Sequence, residues 1–429
     1  MLKLKLPSRP LVASATLKPR EKIMLFDLSL GGHHPGYILH LIQYWLKHNI
    51  PGVMEIVVLP QFMEQHSDVV AAAVADTQQR VRFVPITATE AASLSNRSTL
   101  LSRKKLGFQE WNLLCKYAAS LGASHALLMY FDTYQLPSLL GKRPPCGVSG
   151  IYFRPRFHYA KFDCQNPWMQ QRWQQWREKF FLSLVLRNSQ WRNLFCLDPL
   201  VVPEINNFQT ASTPLYLPDP VKIYHDRAVP SKQLRENLGI EPQRRVFLLF
   251  GALHRRKGIY KLLDAIKLLP ANVCQECCFL LVGPIAQGDS EPVQQKIEQL
   301  RESLPVQIVT HNQFIHEREV QSYFQIADVI LAPYQRHVGM SAILVRAAAA
   351  GKAVLASDYG LMGEITRSHH LGITVDTEVT EQIAQGLRLF CHNAPQQLCD
   401  SSKMQAFARQ NSADKFAEVI VQQLNLVRS

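Results

Sequence analysis

Residues 245–257 read RVFLLFGALHRRK, and residues 258–269 continue GIYKLLDAIKLL. The segment 245–250 is a short apolar run and is expected as a buried strand. Gly251 interrupts it, three consecutive cations follow, and 258–269 is expected as a helix. A strand, a short loop and a helix form the unit from which parallel sheets are built.

Working outward, the unit repeats. Downstream, strands are expected at 278–282, 306–309, 329–332 and 353–356, with helices at 293–300, 317–326 and 341–350. Upstream, KIMLFDL (22–28) is followed by Gly31-Gly32-His33-His34-Pro35-Gly36. A helical pattern then runs through Leu39, Ile42, Trp45 and Leu46. Further strands are expected at 55–59, 81–85, 125–131 (HALLMYF) and 147–153 (GVSGIYF), and a helix at 111–121 that stops at Gly122. Alternation over this length implies two doubly wound α/β domains. LYLPDPV (215–221) separates them, because Pro218 and Pro220 fit neither a helix interior nor a central strand. The expected division is a basic tail 1–20, a first domain 21–217, a second domain 218–400, and a C-terminal segment 401–429. A last helix at 405–426 is a candidate to dock back on the first domain.

Composition narrows the function. With 429 residues the chain is long enough for two domains. No run of about 18 apolar residues is present, so no transmembrane helix is expected. The start of the chain lacks the apolar centre of a secretory signal. Nine cysteines, an odd number without a framework, suit reduced thiols and a cytoplasmic setting. The tightest cluster, Cys274, Cys277 and Cys278, has no partnering pair at zinc spacing, and Cys278 opens an apolar run, so it is expected in a strand. The net charge of +13 suits a phosphorylated small molecule or an anionic membrane. Dispersed cations and the lack of a nucleic-acid motif exclude a nucleic-acid partner. Met169, Trp173, Trp176, Phe180 and Leu184 recur at helical spacing among Arg172, Arg177 and Lys179. This is expected as a core-facing stripe with a solvated basic face, an interfacial helix being the alternative.

Ligands of doubly wound sheets bind at the carboxyl ends of the strands. Three loops there carry chemistry. In the first, Gly31 and Gly32 let the backbone approach a ligand, and His33 and His34 offer ring donors before a helix start. A tight turn alone is the competing reading. In the second, Arg255, Arg256 and Lys257 would be costly to bury without an anion, and a diphosphate explains them better than a solvated loop. In the third, Gly339, Met340 and Ser341 lead into a helix whose open N–H groups and dipole favour an anion, although Ser341 also fits a plain N-cap.

At these residues the sequence resembles the retaining GT-B glycosyltransferases called glycosyl transferases group 1, or family 4. The likeness lies in FGALHRRKGIYKLLDAI, CFLLVGP, FIHEREVQSYFQIADVILAPY and GMSAILVRAAAAGKAVLASDYGLMGEI, roughly 245–372. Gly339, Gly351, Ser357, Gly360 and Glu364 stand in familiar places. The first domain resembles the family mainly through GGHHPG. The resemblance implies two Rossmann-like domains facing across a cleft and a nucleoside-diphosphate sugar bound as donor substrate. It also implies no cofactor beyond that donor and no required metal. Lys257 matches the family's phosphate-binding lysine. Arg255 or Arg256 stands in for its arginine, whose usual place is taken by Ala252.

The family's signature pair of glutamates falls on Val338 and Arg346. The first normally contacts the transferred sugar and the second the donor ribose, and neither residue here is a carboxylate. Arg346 therefore needs an anionic partner, either a protein carboxylate or an acidic group on a substrate. In the first domain, Asp132 and His158 follow strand ends and are the candidate catalytic groups. SGIYFRPRFHY adds Arg154 and Arg156, and a core histidine is the alternative for His158. The expected function is transfer of a hexose-like unit to a glycan or lipid acceptor, by an enzyme that is cytoplasmic or peripheral to an anionic membrane. The alternative is an inactive GT-B-like nucleotide-sugar-binding or partner protein.

Overall fold

Seven short, apolar strands build the first sheet in the computed structural model, which describes residues 21–94, 100–155, 157–158, 169–208, 210–222, 230–286 and 288–424 (backbone alone for 100–104 and 169–172). The basic tail, residues 223–229 after the linker, and Arg156 lie outside the described residues. The strands are β1 Lys22–Phe26, β2 Val53–Val58, β3 Val81–Pro85, β4 His125–Leu128, β5 Gly147–Tyr152, β6 Trp191–Cys196 and β7 Thr213–Tyr216. They lie in the order β3-β2-β1-β4-β5-β6-β7, and every pairing is parallel.

A second sheet repeats the plan. Its strands are β8 Arg245–Phe250, β9 Cys277–Val282, β10 Gln307–His311, β11 Val329–Ala332, β12 Ala353–Ser357 and β13 Gly372–Val375, in the order β10-β9-β8-β11-β12-β13. RVFLLF is central in this sheet. Val246, Phe247, Leu248 and Leu249 are all fully buried, alternate side chains entering the cores on opposite faces of the sheet. A strand covered on both faces shows no polar alternation, which is why the run is continuous.

In each sheet the strand order switches sides once, between β1 and β4 and between β8 and β11. Helices leaving neighbouring strands on opposite faces open a crevice at that point, and ligands of such folds bind there. All three loops singled out above follow β1, β8 or β11.

Four expectations need correction. Leu215 and Tyr216 belong to β7 and not to the linker. That strand also holds Pro214, which is tolerated because β7 is an edge strand. The final helix is two helices, Ser401–Gln410 and Ala413–Gln423. The first packs on the helix Ala342–Ala350. The second packs on the helix His34–Lys47, with Phe416, Ala417, Ile420 and Val421 in the first domain's core. The stripe on the helix Met169–Leu186 does not face the core: Trp173, Trp176 and Phe180 are exposed, while Leu182, Val185 and Leu186 face inward. Finally, β6, β7 and β13 have no counterpart in the sequence reading. Among the described residues no helix is long and apolar enough to cross a membrane.

Candidate functional site

The chain reaches the second-domain loop through two constrained glycines. Gly251 ends β8 at φ +105°. Gly258 has φ +80°, and a Cβ there would fall 2.0 Å from the Pro333 carbonyl oxygen. Only glycine fits that approach of the β8 loop to the end of β11. Between them Arg255–Lys257 form a single tight turn with no buried residue.

The three cations point to different places. Lys257 Nζ donates to the Tyr334 hydroxyl and to the Phe250 carbonyl at 3.3 Å, and it sits 4.3 Å from the centre of the Tyr334 ring. Arg256 Nη1 meets His337 Nδ1 at 3.0 Å. His337 Nε2 lies 3.2 Å from the Met340 carbonyl, so Nε2 carries the proton and Nδ1 accepts from Arg256. Burial pushes His337 down to about 4, with Arg256, Lys257 and Arg154 adding to the shift, so the ring is neutral at pH 7. Arg255 instead reaches Asp289 at 3.5 Å and stacks 5.1 Å from the Tyr260 ring, away from the other two. Arg256 and Lys257 therefore form the cationic centre of the loop, and Arg255 is a flanking residue.

The third loop lies beside them. Ser341 is the N-cap of the helix Ala342–Ala350, but its side chain makes no cap hydrogen bond. Its hydroxyl is 3.1 Å from the Tyr334 hydroxyl. The first-turn N–H groups thus lack a side-chain cap and, with the helix dipole, face Lys257 and Tyr334 as an anion-attracting end. Met340 packs its side chain on the second-domain core and lends only its carbonyl to the site. Gly339 leaves open space, since nothing but the His337 ring at 3.9 Å would meet a Cβ. Gly360, at φ +68°, lets the next helix press against this loop, a Cβ there falling 2.6 Å from the His337 carbonyl oxygen.

The first-domain side is built from β1, β4 and β5. Asp27, one residue beyond β1, accepts the Ser29 N–H at 3.0 Å and meets His34 Nδ1 at 2.7 Å, both side chains being buried. This fixes His34 at the start of its helix. The sequence reading missed Asp27, although an aspartate inside the apolar run KIMLFDL was the available signal. His33 stacks on Phe153 at 4.4 Å and on His34 at 4.6 Å. The residue is exposed, with the rings of Phe153, His34 and Tyr37 packed against its own. The surrounding protein, then His34 and Arg154, hold its pKa well below the usual histidine range. His33 is therefore a neutral hydrogen-bonding group. Gly31 and Gly32 line open space, with nothing within 4 Å of a Cβ at either.

Asp132, after β4, accepts the backbone N–H groups of Phe153 at 3.0 Å and Arg154 at 2.9 Å. Burial raises its carboxyl to about 6 against those two hydrogen bonds. It anchors the chain leaving β5, which puts Phe153 beneath His33 and Arg154 within electrostatic reach of His33 and His337. Arg154 thereby relates the two domains across the cleft. His158 is 4 % exposed and has less access to solvent than His33.

Two depressions lie elsewhere, near 410 and 360 Å³. One is lined by Val74, Arg82 and Phe83, the other by Arg367, His370 and Asp400, and neither contains a residue of the three loops. Among the described residues no group of three or more His, Cys, Asp or Glu side chains is arranged to hold a metal ion.

Residues 230–411 match the family Glycosyl transferases group 1. The chain is 26% identical over 200 residues to the lipopolysaccharide 1,2-N-acetylglucosaminetransferase of Salmonella typhimurium, covering 44% of this chain and 51% of that protein. It thus spans about half the length of the curated relative it matches. Sucrose-phosphate synthase from Thermosynechococcus elongatus superposes with a TM-score of 0.65 at 15% identity, over 95% of this chain and 99% of that one. WaaG, a glycosyltransferase involved in lipopolysaccharide biosynthesis, gives 0.60 at 15% identity over 94% and 98%. Anabaena HepE in complex with UDP and glucose gives 0.62 at 15% identity over 95% and 100%.

Two facing doubly wound domains with these neighbours define a GT-B fold. Residues 230–411, which carry the cationic loop and the open helix end, are similar to the glycosyl transferases group 1 family.

Proposed function

We propose that the chain transfers a sugar from a nucleoside-diphosphate sugar to a glycan or lipid-linked acceptor, with retention of anomeric configuration. The observation that carries this is the convergence of Arg256, Lys257 and the uncapped start of the helix Ala342–Ala350 at the switch point of the second sheet. Two cations and a helix dipole neutralise a leaving diphosphate without a metal ion. The donor is a substrate, and no separate cofactor is invoked. Across the cleft, His33, the Asp27–His34 pair and Arg154 supply hydrogen bonds and charge to the transferred sugar and the acceptor. Asp132 positions Arg154 through the backbone. The group 1 match and the resemblance to an N-acetylglucosaminetransferase support a glycan or lipid-linked acceptor.

A ligand that binds only the native state raises its apparent stability. Thermal melting with UDP, GDP and ADP and their sugars is therefore expected to show stabilisation by one nucleotide, followed by sugar transfer or donor hydrolysis with that donor. No stabilisation by any of the three removes the proposal.

A second reading, a nucleotide-sugar-binding protein without transferase activity, is favoured by one observation. The position of the family's ribose-contacting glutamate holds Arg346, which pairs with Glu317. Saturable nucleotide binding with no turnover of any bound donor is the outcome that selects it.

A further inference from the structure

The helix Met169–Leu186 buries Leu182, Val185 and Leu186 fully, yet Trp173 is 57 % exposed, Trp176 61 % and Phe180 46 %. At 3.6 residues per turn these three aromatics fall within about 60° of one another, opposite Leu182. Trp176 and Phe180 stack with ring centres 5.5 Å apart, and Arg177 lies 5.2 Å from the Trp173 ring. The same angular count puts the exposed Arg177 on the aromatic face, and the exposed Arg187 follows directly after the helix. Glu178, the helix's one carboxylate, falls on the inner side and accepts from the Tyr152 hydroxyl at 2.6 Å. Among the described residues the outward face of this helix thus combines rigid aromatic rings with cations and carries no acid. Nearby, the helix Gln135–Leu140, which packs along it, ends in Leu140 at 72 % exposure and leads to the exposed Lys142 and Arg143.

We propose that this face docks the protein on the surface of an anionic lipid bilayer. Trp and Phe rings settle at the level of the headgroups, while Arg177, Arg187, Lys142 and Arg143 meet the negative surface potential. Arginine stems lie along apolar surface and keep their charge in water, which suits such a boundary. A second copy of the chain fits less well. A two-fold interface on this face would set Arg177 and Arg187 against like charges with no carboxylate on the face to offset them. The surface is separate from the donor site, so the inference stands apart from the activity proposed above.

The test uses the purified full chain in co-sedimentation with vesicles of phosphatidylcholine alone, and of phosphatidylcholine with one third phosphatidylglycerol. The chain is expected to pellet with the anionic vesicles and to remain in solution with the neutral ones. The variant Trp173→Ser/Trp176→Ser/Phe180→Ser is expected to lower the partition coefficient at least about tenfold, and so is Arg177→Glu/Arg187→Glu. Because all five side chains are exposed, both variants should melt as the parent does. Failure of the parent chain to bind anionic vesicles overturns the proposal, as does binding that survives the triple substitution. A dimer in sedimentation velocity that the triple substitution dissociates, with vesicle binding unchanged, assigns the face to a second copy instead.

Discussion

Arg346, on the helix Ala342–Ala350, donates through Nη2 to the carboxylate of Glu317 in the first turn of the helix Glu317–Ile326. Its side chain is 10% exposed and that of Glu317 is 54% exposed. The partner of the buried arginine is therefore a protein carboxylate, and the residue joins two helices of the second domain. Arg346 also lies within electrostatic reach of the half-buried Asp219 in the linker and of His40 in the first domain.

Arg346→Glu places a carboxylate against Glu317 and Asp219. Breaking a buried pair costs up to about 3–5 kcal/mol, and the exposure of Glu317 reduces that to about 2–3 kcal/mol here. The variant should melt several degrees lower while keeping the nucleotide affinity of the parent. An unchanged melting temperature, or a changed donor preference at unchanged stability, would place Arg346 in the donor site instead.

Lys257→Ala removes the cation between Tyr334 and the open helix end. Loss of one charge-assisted hydrogen bond costs about 1.5–3 kcal/mol, which is roughly a ten- to hundredfold rise in Kd for the preferred nucleoside diphosphate. The side chain is only partly buried, so circular dichroism should show an intact fold. Calorimetry that finds the parent affinity takes Lys257 out of the site.

Asp198, beyond β6, gives a pH dependence with a defined sign. One oxygen accepts the Leu200 N–H at 2.8 Å, the other is buried without a hydrogen-bond partner, and burial raises the carboxyl to about 6. The folded state thus takes up a proton that the unfolded chain, at about 3.9, does not bind until lower pH. Between these values folding is favoured by acid, so this group destabilises at pH 7 and the cost disappears as pH falls from about 6.5 to 4. Asp132 acts in the same direction. Asp198→Asn removes the ionisation, and its melting temperature should approach or exceed the parent's at pH 7 and lose that advantage near pH 4.5. A difference between the two proteins that does not vary with pH would show that Asp198 titrates normally. Glu90 works in another window. It is held down to about 2, its hydrogen bonds from Lys116, Thr87 and Tyr117 outweighing its burial, and the stability it contributes is lost as pH falls from 4.5 toward 2.

The chain crosses between the domains twice, and the crossings touch. The Val221 N–H donates to the Asn411 carbonyl at 3.0 Å, and the Tyr216 hydroxyl to Asn411 Oδ1 at 3.1 Å. Tyr37, on the first-domain helix, donates to Asp219 at 2.6 Å in the same region. Bending should occur at 217–222 and at the break between the last two helices. Donor binding is expected to lower the radius of gyration in small-angle scattering by drawing Arg154 toward Arg256 and Lys257. An unchanged scattering curve at saturating donor would show a cleft that does not close.

The sequence by itself determined the second domain almost strand for strand. Its strands are buried on both faces, so they appear as unbroken apolar runs, and glycines and cations mark the loops between them. The cationic loop was legible as a loop for the same local reason: Arg255, Arg256 and Lys257 fall between an apolar strand and an amphipathic helix. Tertiary structure decided the rest. The edge strand β7 hid behind prolines, because an edge position forgives a missing donor and nothing local says which strand is at an edge. The stripe of Trp173, Trp176 and Phe180 had the periodicity of a core helix, and periodicity fixes which residues share a face but not which face meets the sheet. The Asp27–His34 pair, the separation of Arg255 from Arg256, and the choice of Glu317 for Arg346 depend on distances between elements 7 to 34 positions apart in sequence or further. Such partners are set by how helices and strands pack, and one-dimensional spacing carries no record of it.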